Sequence, residues 1–187
     1  TSINVGTMTL SNTNALGSGV TQSSGITVTA TGAVLNLNFA TSTFGNTNNI
    51  TLNGTGISSA GALIASTSTP TLTNAITLNS NTTIGGANNM ILNGSITDGG
   101  NAYSLTKAGA GTITLGANNS FSGGVTINTG TLAALNAGAL GTAGAIAINN
   151  AAILSMNFGG NTLVNSSNIT MGATAALTST AAAAVTD

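Results

Sequence analysis

The chain has 187 residues but only three charged side chains, Asp98, Lys107 and Asp187, and it lacks histidine, cysteine and tryptophan. That inventory leaves no electrostatic footprint for nucleic acid or anionic lipid and no disulfide framework. It also leaves too few groups to pair a nucleophile with a base or to cluster metal ligands, so neither catalysis, cofactor nor metal is expected.

Disorder is equally disfavoured. Disordered chains combine low hydrophobicity with high net charge, whereas this one is 41% hydrophobic with a net charge of −1 and a mean hydropathy of +0.40. Thr1 opens in mid-pattern, and no signal peptide is visible there. In chain order, Ile26 to Ala30 (ITVTA), Val34 to Phe39 (VLNLNF), Ile76 to Leu78 (ITL), Thr112 to Leu115 (TITL) and Val125 to Asn128 (VTIN) alternate aliphatic with Thr or Asn. A period of two puts one face inward and the other outward, which predicts strands. Gly and Asn clusters separate them at Gly85 to Asn89, Asp98 to Asn101 and Gly116 to Gly124, residues that suit tight corners. Ala133 to Ala147 is Ala-rich, yet Gly138, Gly141 and Gly144 would each cost a helix about 1 kcal/mol, so helix is rejected there. The longest obvious apolar run is Ala181 to Val185, so no transmembrane helix is expected. Aromatics at 3% leave no girdles for a membrane barrel.

Short strands with small-residue corners predict an all-β chain wound as a parallel β-solenoid, a β-helix of about seven to nine coils with roughly 20 to 25 residues each. The alternative is a β-sandwich, whose strands are usually longer. At about 4.8 Å per coil, the rod would be some 35 to 45 Å long. Ile91, Ile96, Leu105, Ile113, Leu115, Val125, Ile127 and Leu132 are the candidate core, and corner asparagines are expected to stack as hydrogen-bonded ladders.

The sequence also echoes itself. INVGT at Ile3 to Thr7 matches INTGT at Ile127 to Thr131, and ALG at Ala15 to Gly17 matches Ala139 to Gly141, both 124 positions on. AVLNLNF at Ala33 to Phe39 matches AILSMNF at Ala152 to Phe158, and NNIT at Asn48 to Thr51 matches SNIT at Ser167 to Thr170, both 119 positions on. The slip is what a surface-loop deletion leaves. Residues 1–187 therefore read as one solenoid segment in which about 1–70 and 127–187 are similar and 71–126 intervene. An array that starts and stops in mid-pattern is expected to be part of something longer, or a subunit whose ends stack on neighbours.

Residues Leu105 to Leu135 carry a more specific pattern. Leu105, Lys107, Gly109, Gly111, Thr112, Leu115, Gly116, Asn118, Phe121, Gly123, Gly124, Thr126, Ile127, Gly130, Thr131 and Leu132 follow L-x-K-x-G-x-G-T-L-x-L-x-G-x-N-x-Y-x-G-G-T-x-I-x-x-G-T-L, with Ile113 and Phe121 in place of the usual leucine and tyrosine. This stretch resembles the passenger-associated transport repeat of bacterial autotransporters, with a weaker echo at Ile3 to Met8. The resemblance implies a secreted, β-helical passenger at the bacterial cell surface or outside the cell, and a motif that assists export. It implies no catalytic residue, and the C-terminal membrane barrel of such proteins is not in this chain.

Individual residues offer little further chemistry. Lys107 reads as a solvated strand-edge charge that discourages lateral pairing. DGGN at Asp98 is like a calcium-binding turn, but one aspartate makes no site. The sequons at Asn49, Asn53, Asn81, Asn93, Asn118, Asn165 and Asn168 are no more than chance predicts in so Asn-rich a chain. Thr7/Thr9, Thr27/Thr29, Thr71/Thr73 and Thr112/Thr114 could form a flat hydroxyl array such as an ice-binding face. Their irregular spacing favours ordinary outward strand threonines instead. The chain is therefore expected to be a structural, extracellular segment of an autotransporter-like surface protein or self-stacking fibre, associating end to end. The alternative is an adhesin presenting a surface for glycan or ice.

Overall fold

Strands of two to five residues stack into three parallel sheets in this computed structural model, which describes residues 1–16, 25–39, 43–45, 48–159, 161–165 and 167–179. Sheet I contains Ser2–Ile3, Ile26–Val28, Ile50–Leu52, Ile76–Leu78 and Ile96–Thr97. Sheet II contains Gly6–Leu10, Ala33–Leu37, Leu63–Ala65, Thr82–Gly86, Leu105–Lys107, Val125–Ile127, Ile146–Ile148 and Ile169–Met171. Sheet III contains Thr71–Leu72, Met90–Leu92, Thr112–Leu115, Thr131–Ala134, Ile153–Met156 and Ala176–Ser179. The chain visits the faces in the order I, II, III, and every pairing between the described strands is parallel. The protein is thus a β-solenoid of about seven turns, and the antiparallel sandwich is excluded.

Period-two patterning produces this register. Ile50–Leu52, Ile76–Leu78, Val125–Ile127 and Ile146–Ile148 each run buried, half-buried, buried. Parallel pairing then sets like on like: Ile26, Ile50, Ile76 and Ile96 form one inward column, and Met90, Ile113, Leu132 and Leu154 another. Each fully buried Leu or Ile contributes about 1.5–3 kcal/mol, so the columns form a continuous core requiring contact only between neighbouring coils.

Seven of the eight expected core residues are buried, and Ile91 is not. It pairs with Thr71 and Thr114 on the outer surface of sheet III, while Met90 and Leu92 on either side turn inward. The run MIL is apolar throughout, so its phase is set by the rungs above and below. Ala133 to Ala147 forms the end of strand Thr131–Ala134, a turn and strand Ile146–Ile148, with no helix. A 3-10 turn at Ile57–Ser59 is the one helical element among the described residues. No helix there is long and apolar enough to cross a membrane.

Sheet II is the spine; the other two sheets only partly overlap. No described strand of sheet III precedes the bridge between Thr43 and Thr71, and no described strand of sheet I follows Ile96–Thr97. In the first coils the chain alternates between sheets I and II, and in the last between II and III. The internal echoes follow this change. Ile3 to Thr7 turns the corner from sheet I to II, whereas Ile127 to Thr131 turns from II to III. Likewise Ala33–Leu37 lies in sheet II and Ile153–Met156 in sheet III. The repeated unit is a strand, a corner and a strand, displaced by one face.

Candidate functional site

The chemically distinctive residues gather around the segment that begins at Leu105. Strand Leu105–Lys107 runs through the interior of sheet II, between Thr82–Gly86 and Val125–Ile127. Because Leu105 faces inward, Lys107 two residues later faces inward too, in a column with Leu63, Ile84, Ile127 and Ile148. It is 0% exposed. The expectation of a solvated edge charge is therefore wrong: the strand has neighbours on both sides, so there is no edge to protect. The butyl stem fills an aliphatic position. Its Nζ donates to the carbonyls of Ala108 at 3.0 Å, Gly109 at 2.6 Å and, one coil on, Thr129 at 3.0 Å. Burial pushes the ammonium down to about 8, while three converging carbonyl oxygens favour its charged form.

Asp98 is buried by the same logic. Ile96 faces inward, Thr97 outward and Asp98 inward at the end of sheet I. Its Oδ1 accepts the Gly100 N–H at 2.9 Å. Its Oδ2 accepts the N–H of Tyr103 at 3.2 Å, and the N–H and hydroxyl of Ser122 at 2.9 and 3.1 Å. Burial pushes its pKa up, but the bonds from Ser122, Gly100 and Tyr103 outweigh that and hold it below the ordinary carboxylate value. Thus the carboxylate clamps its own turn to the following coil through Ser122, as Lys107 clamps its corner through Thr129.

A third clamp was missed in the sequence. Beside Asn118, which accepts the Gly138 N–H at 3.2 Å, Asn119 is the buried asparagine. Its Oδ1 accepts the Ile96 N–H at 2.7 Å, and its Nδ2 donates to Ala139 O at 2.6 Å, joining three successive coils. The signal was present: Asn119, not Asn118, stands two residues before Phe121, as N-x-Y requires. Asn165 is similarly buried, donating to Leu140 O and Ala143 O at 3.1 Å. The asparagine ladders are short, with Asn79 donating to Asn53 at 3.1 Å and Asn149 to Asn128 at 2.7 Å.

The glycines of the segment allow the coils to approach. A side chain at Gly111 would collide with the Asn88 carbonyl in the coil below. Gly130 has a φ of 68° and faces the carbonyls of Gly109, Ala110 and Gly111.

The four threonine pairs are divided among the faces. Thr7 and Thr9 lie in a sheet II strand, Thr27 in sheet I, and Thr71, Thr112 and Thr114 in sheet III. A different set does share one phase. Ser2, Thr27, Thr51, Thr77 and Thr97 pair rung to rung as the outward row of sheet I. This uncharged hydroxyl rank is the most regular outward surface of the rod.

The Passenger-associated-transport-repeat family matches residues 105–134, the segment that contains the Lys107 cradle and Asn119. Over 124 residues, 64% of the chain, the sequence is 36% identical to a protein described as "Adhesin BmaC autotransporter" from Brucella suis biovar 1 (strain 1330). The chain resembles a segment of an autotransporter passenger. It covers only 3% of that Brucella protein's length. No solved structure matches at a significant level.

Proposed function

We propose that this chain is a non-catalytic rod segment of a secreted autotransporter passenger exposed at the bacterial surface. The observation that carries the reading is the placement of the matched repeat: residues 105–134 wind through consecutive coils, and Lys107 and Asn119 each bond a neighbouring coil. Such a rod gains its stability from nearest-neighbour contacts, so it can fold coil upon coil as it emerges on the far side of a membrane. The two buried charges support a structural role, because a carboxylate saturated with donors and held below its ordinary pKa is a poor general base at neutral pH.

The test is surface display. The 187-residue chain, placed between a secretion signal and an autotransporter barrel, should become accessible to external protease on intact cells. Removing residues 105–134 should leave it inside. Equal display with and without that segment would refute an export-linked role.

A second reading is favoured by the hydroxyl rank of sheet I together with the Brucella relative's description as an adhesin. On this reading the rod also contacts an uncharged ligand such as a neutral glycan or ice. Purified chain should then bind neutral glycans or partition into growing ice, and Thr51→Lys with Thr77→Lys should abolish either. No retention on either surface would dismiss the reading.

A further inference from the structure

The sequence contains two Asn-Gly pairs, Asn53–Gly54 and Asn93–Gly94, and one Asp-Gly pair, Asp98–Gly99. Glycine has no side chain to shield its amide nitrogen, so such pairs are where a side-chain carbonyl carbon can be attacked by the next backbone nitrogen. The fold treats the three pairs differently. At Asn53, Oδ1 accepts from Asn79 Nδ2 at 3.1 Å, Nδ2 donates to Val28 O at 2.7 Å, and the Gly54 N–H is taken by Ser80 Oγ at 2.7 Å. All the reacting groups are held. At Asp98 the carboxylate is fixed by its four donors. Asn93 differs: the residue is exposed and its side chain, lying alongside Gly116 of the next coil, has no hydrogen bond among the described residues, while its backbone N–H is anchored on Leu72 O at 2.7 Å.

We propose that Asn93 is a self-modifying site. The Gly94 nitrogen bonds to Asn93 Cγ, and the side-chain nitrogen leaves as ammonia with the proton from the Gly94 amide, closing a five-membered imide. One water then opens the ring. Cleavage of the bond from Gly94 N to Cγ gives aspartate; cleavage of its bond to the Asn93 backbone carbonyl carbon gives isoaspartate, with the chain rerouted through Cγ. Either product takes the net charge from −1 to −2.

The position makes the product consequential. Asn93 lies on the corner between strand Met90–Leu92 and strand Ile96–Thr97, just ahead of the Asp98 clamp. An isoaspartate adds a backbone atom there, shifting the register that lets Ile96 bond Asn119 and Asp98 bond Ser122. Ageing therefore acts on one coil boundary, and the altered chain presents the linkage read by isoaspartate-specific carboxyl methyltransferases.

The experiment incubates the folded 187-residue chain at mildly alkaline pH and follows both sites by peptide mass spectrometry, with methyl acceptance by an isoaspartate methyltransferase as a second readout. Asn93 should convert at least about tenfold faster than Asn53, because Asn53 must first open locally and break several hydrogen bonds. In denaturant the difference should fall to within about twofold, since both are then free Asn-Gly pairs. Asn93→Gln should remove most of the methyl acceptance, and Ser80→Ala should accelerate Asn53 several-fold by releasing the Gly54 amide. Equal native rates, or an Asn93 that stays intact while the denatured chain reacts, would overturn the proposal.

Discussion

Replacing Lys107 with methionine tests whether its ammonium holds the coils together. Methionine matches the unbranched stem and suits an aliphatic column between Ile84 and Ile127, so packing is nearly conserved. What disappears is the donor shared by the carbonyls of Ala108, Gly109 and Thr129. At about 1 kcal/mol at most for each of these partly buried carbonyls left without that partner, the loss is up to about 3 kcal/mol. The extra apolar group returns about 0.8 kcal/mol. On these contacts alone the destabilisation is up to about 2 kcal/mol, or some 4–8 °C in Tm for a chain of this size, and relief of the buried ammonium's desolvation, which lowers its pKa, works against it. Urea denaturation at neutral pH measures it, and amide hydrogen exchange should localise it to the coils bearing residues 105–131. The wild type supplies an internal check through pH. Its folded-state pKa of about 8 lies below the ordinary 10.5, so the unfolded chain binds the proton more tightly between those values. Stability should rise as pH climbs from about 8 to 10.5, and that gain should be given up over the same range as pH is lowered, with no further change below about 8 where both states are protonated. Lys107→Met should lack that rise. If the variant were as stable as wild type at neutral pH, desolvation of the ammonium would outweigh its three bonds and the clamp would be no clamp.

Asp98→Asn should cost roughly 3 kcal/mol by chemical denaturation, because an amide cannot accept from all four donors now satisfied by the carboxylate. Since the folded-state pKa of Asp98 is below the ordinary 3.8, its contribution is present above that value and lost as pH falls through the folded one. The variant should show a shallower acid limb in melting curves. Asn119→Ala should cost about 2 kcal/mol and speed exchange of the Ile96 amide, which bonds directly to its Oδ1. Gly111→Ala should destabilise by about 1–3 kcal/mol because the coil below is backbone that cannot yield. Gly32→Ala, with nothing within 4 Å of the added carbon, should be neutral or slightly stabilising by about 0.4–1 kcal/mol. Equal melting temperatures for the two glycine variants would refute the close-approach account.

Alternation with glycine corners was enough to read the solenoid from sequence, because in a parallel stack local pattern and long-range register coincide. The errors arose where a residue's chemistry overrode its phase. Leu105-Thr106-Lys107 and Ile96-Thr97-Asp98 have the same alternation as Val125-Thr126-Ile127, and phase alone sends both charges inward. The usual exposure of Lys and Asp argued otherwise for Lys107, and phase cannot reveal the carbonyls and amides that make burial tolerable, some on the adjoining corner (Ala108, Gly109, Gly100, Tyr103) and some a coil away (Thr129, Ser122). Ile91 failed in the opposite way: with three consecutive apolar residues the pattern has no phase, and Thr71 and Thr114 decide it. Among outward residues, the rank from Ser2 to Thr97 was hidden because its members are one coil apart, and coil length varies.

That variation follows from the same division between faces. The sheet II column passes through Met8, Leu35, Leu63, Ile84, Lys107, Ile127 and Ile148, with 27 and 28 residues between its first members and 20 to 23 between later ones. A helical bundle or sandwich would have to repack around such changes. Here each coil needs only two faces in register with its neighbours, so the third can be a strand or a loop without disturbing the spine. The strand–corner–strand unit explains why the echoed segments can sit on different faces at the two ends. It also explains why the buried polar clamps cluster where sheet I gives out. Beyond Thr97 no described strand continues that side of the rod; isolated backbone bonds such as Ser120 N–H to Ile96 O and Thr142 N–H to Phe121 O join its coils, and Asp98, Asn119 and Asn165 add inter-coil bonds by side chain.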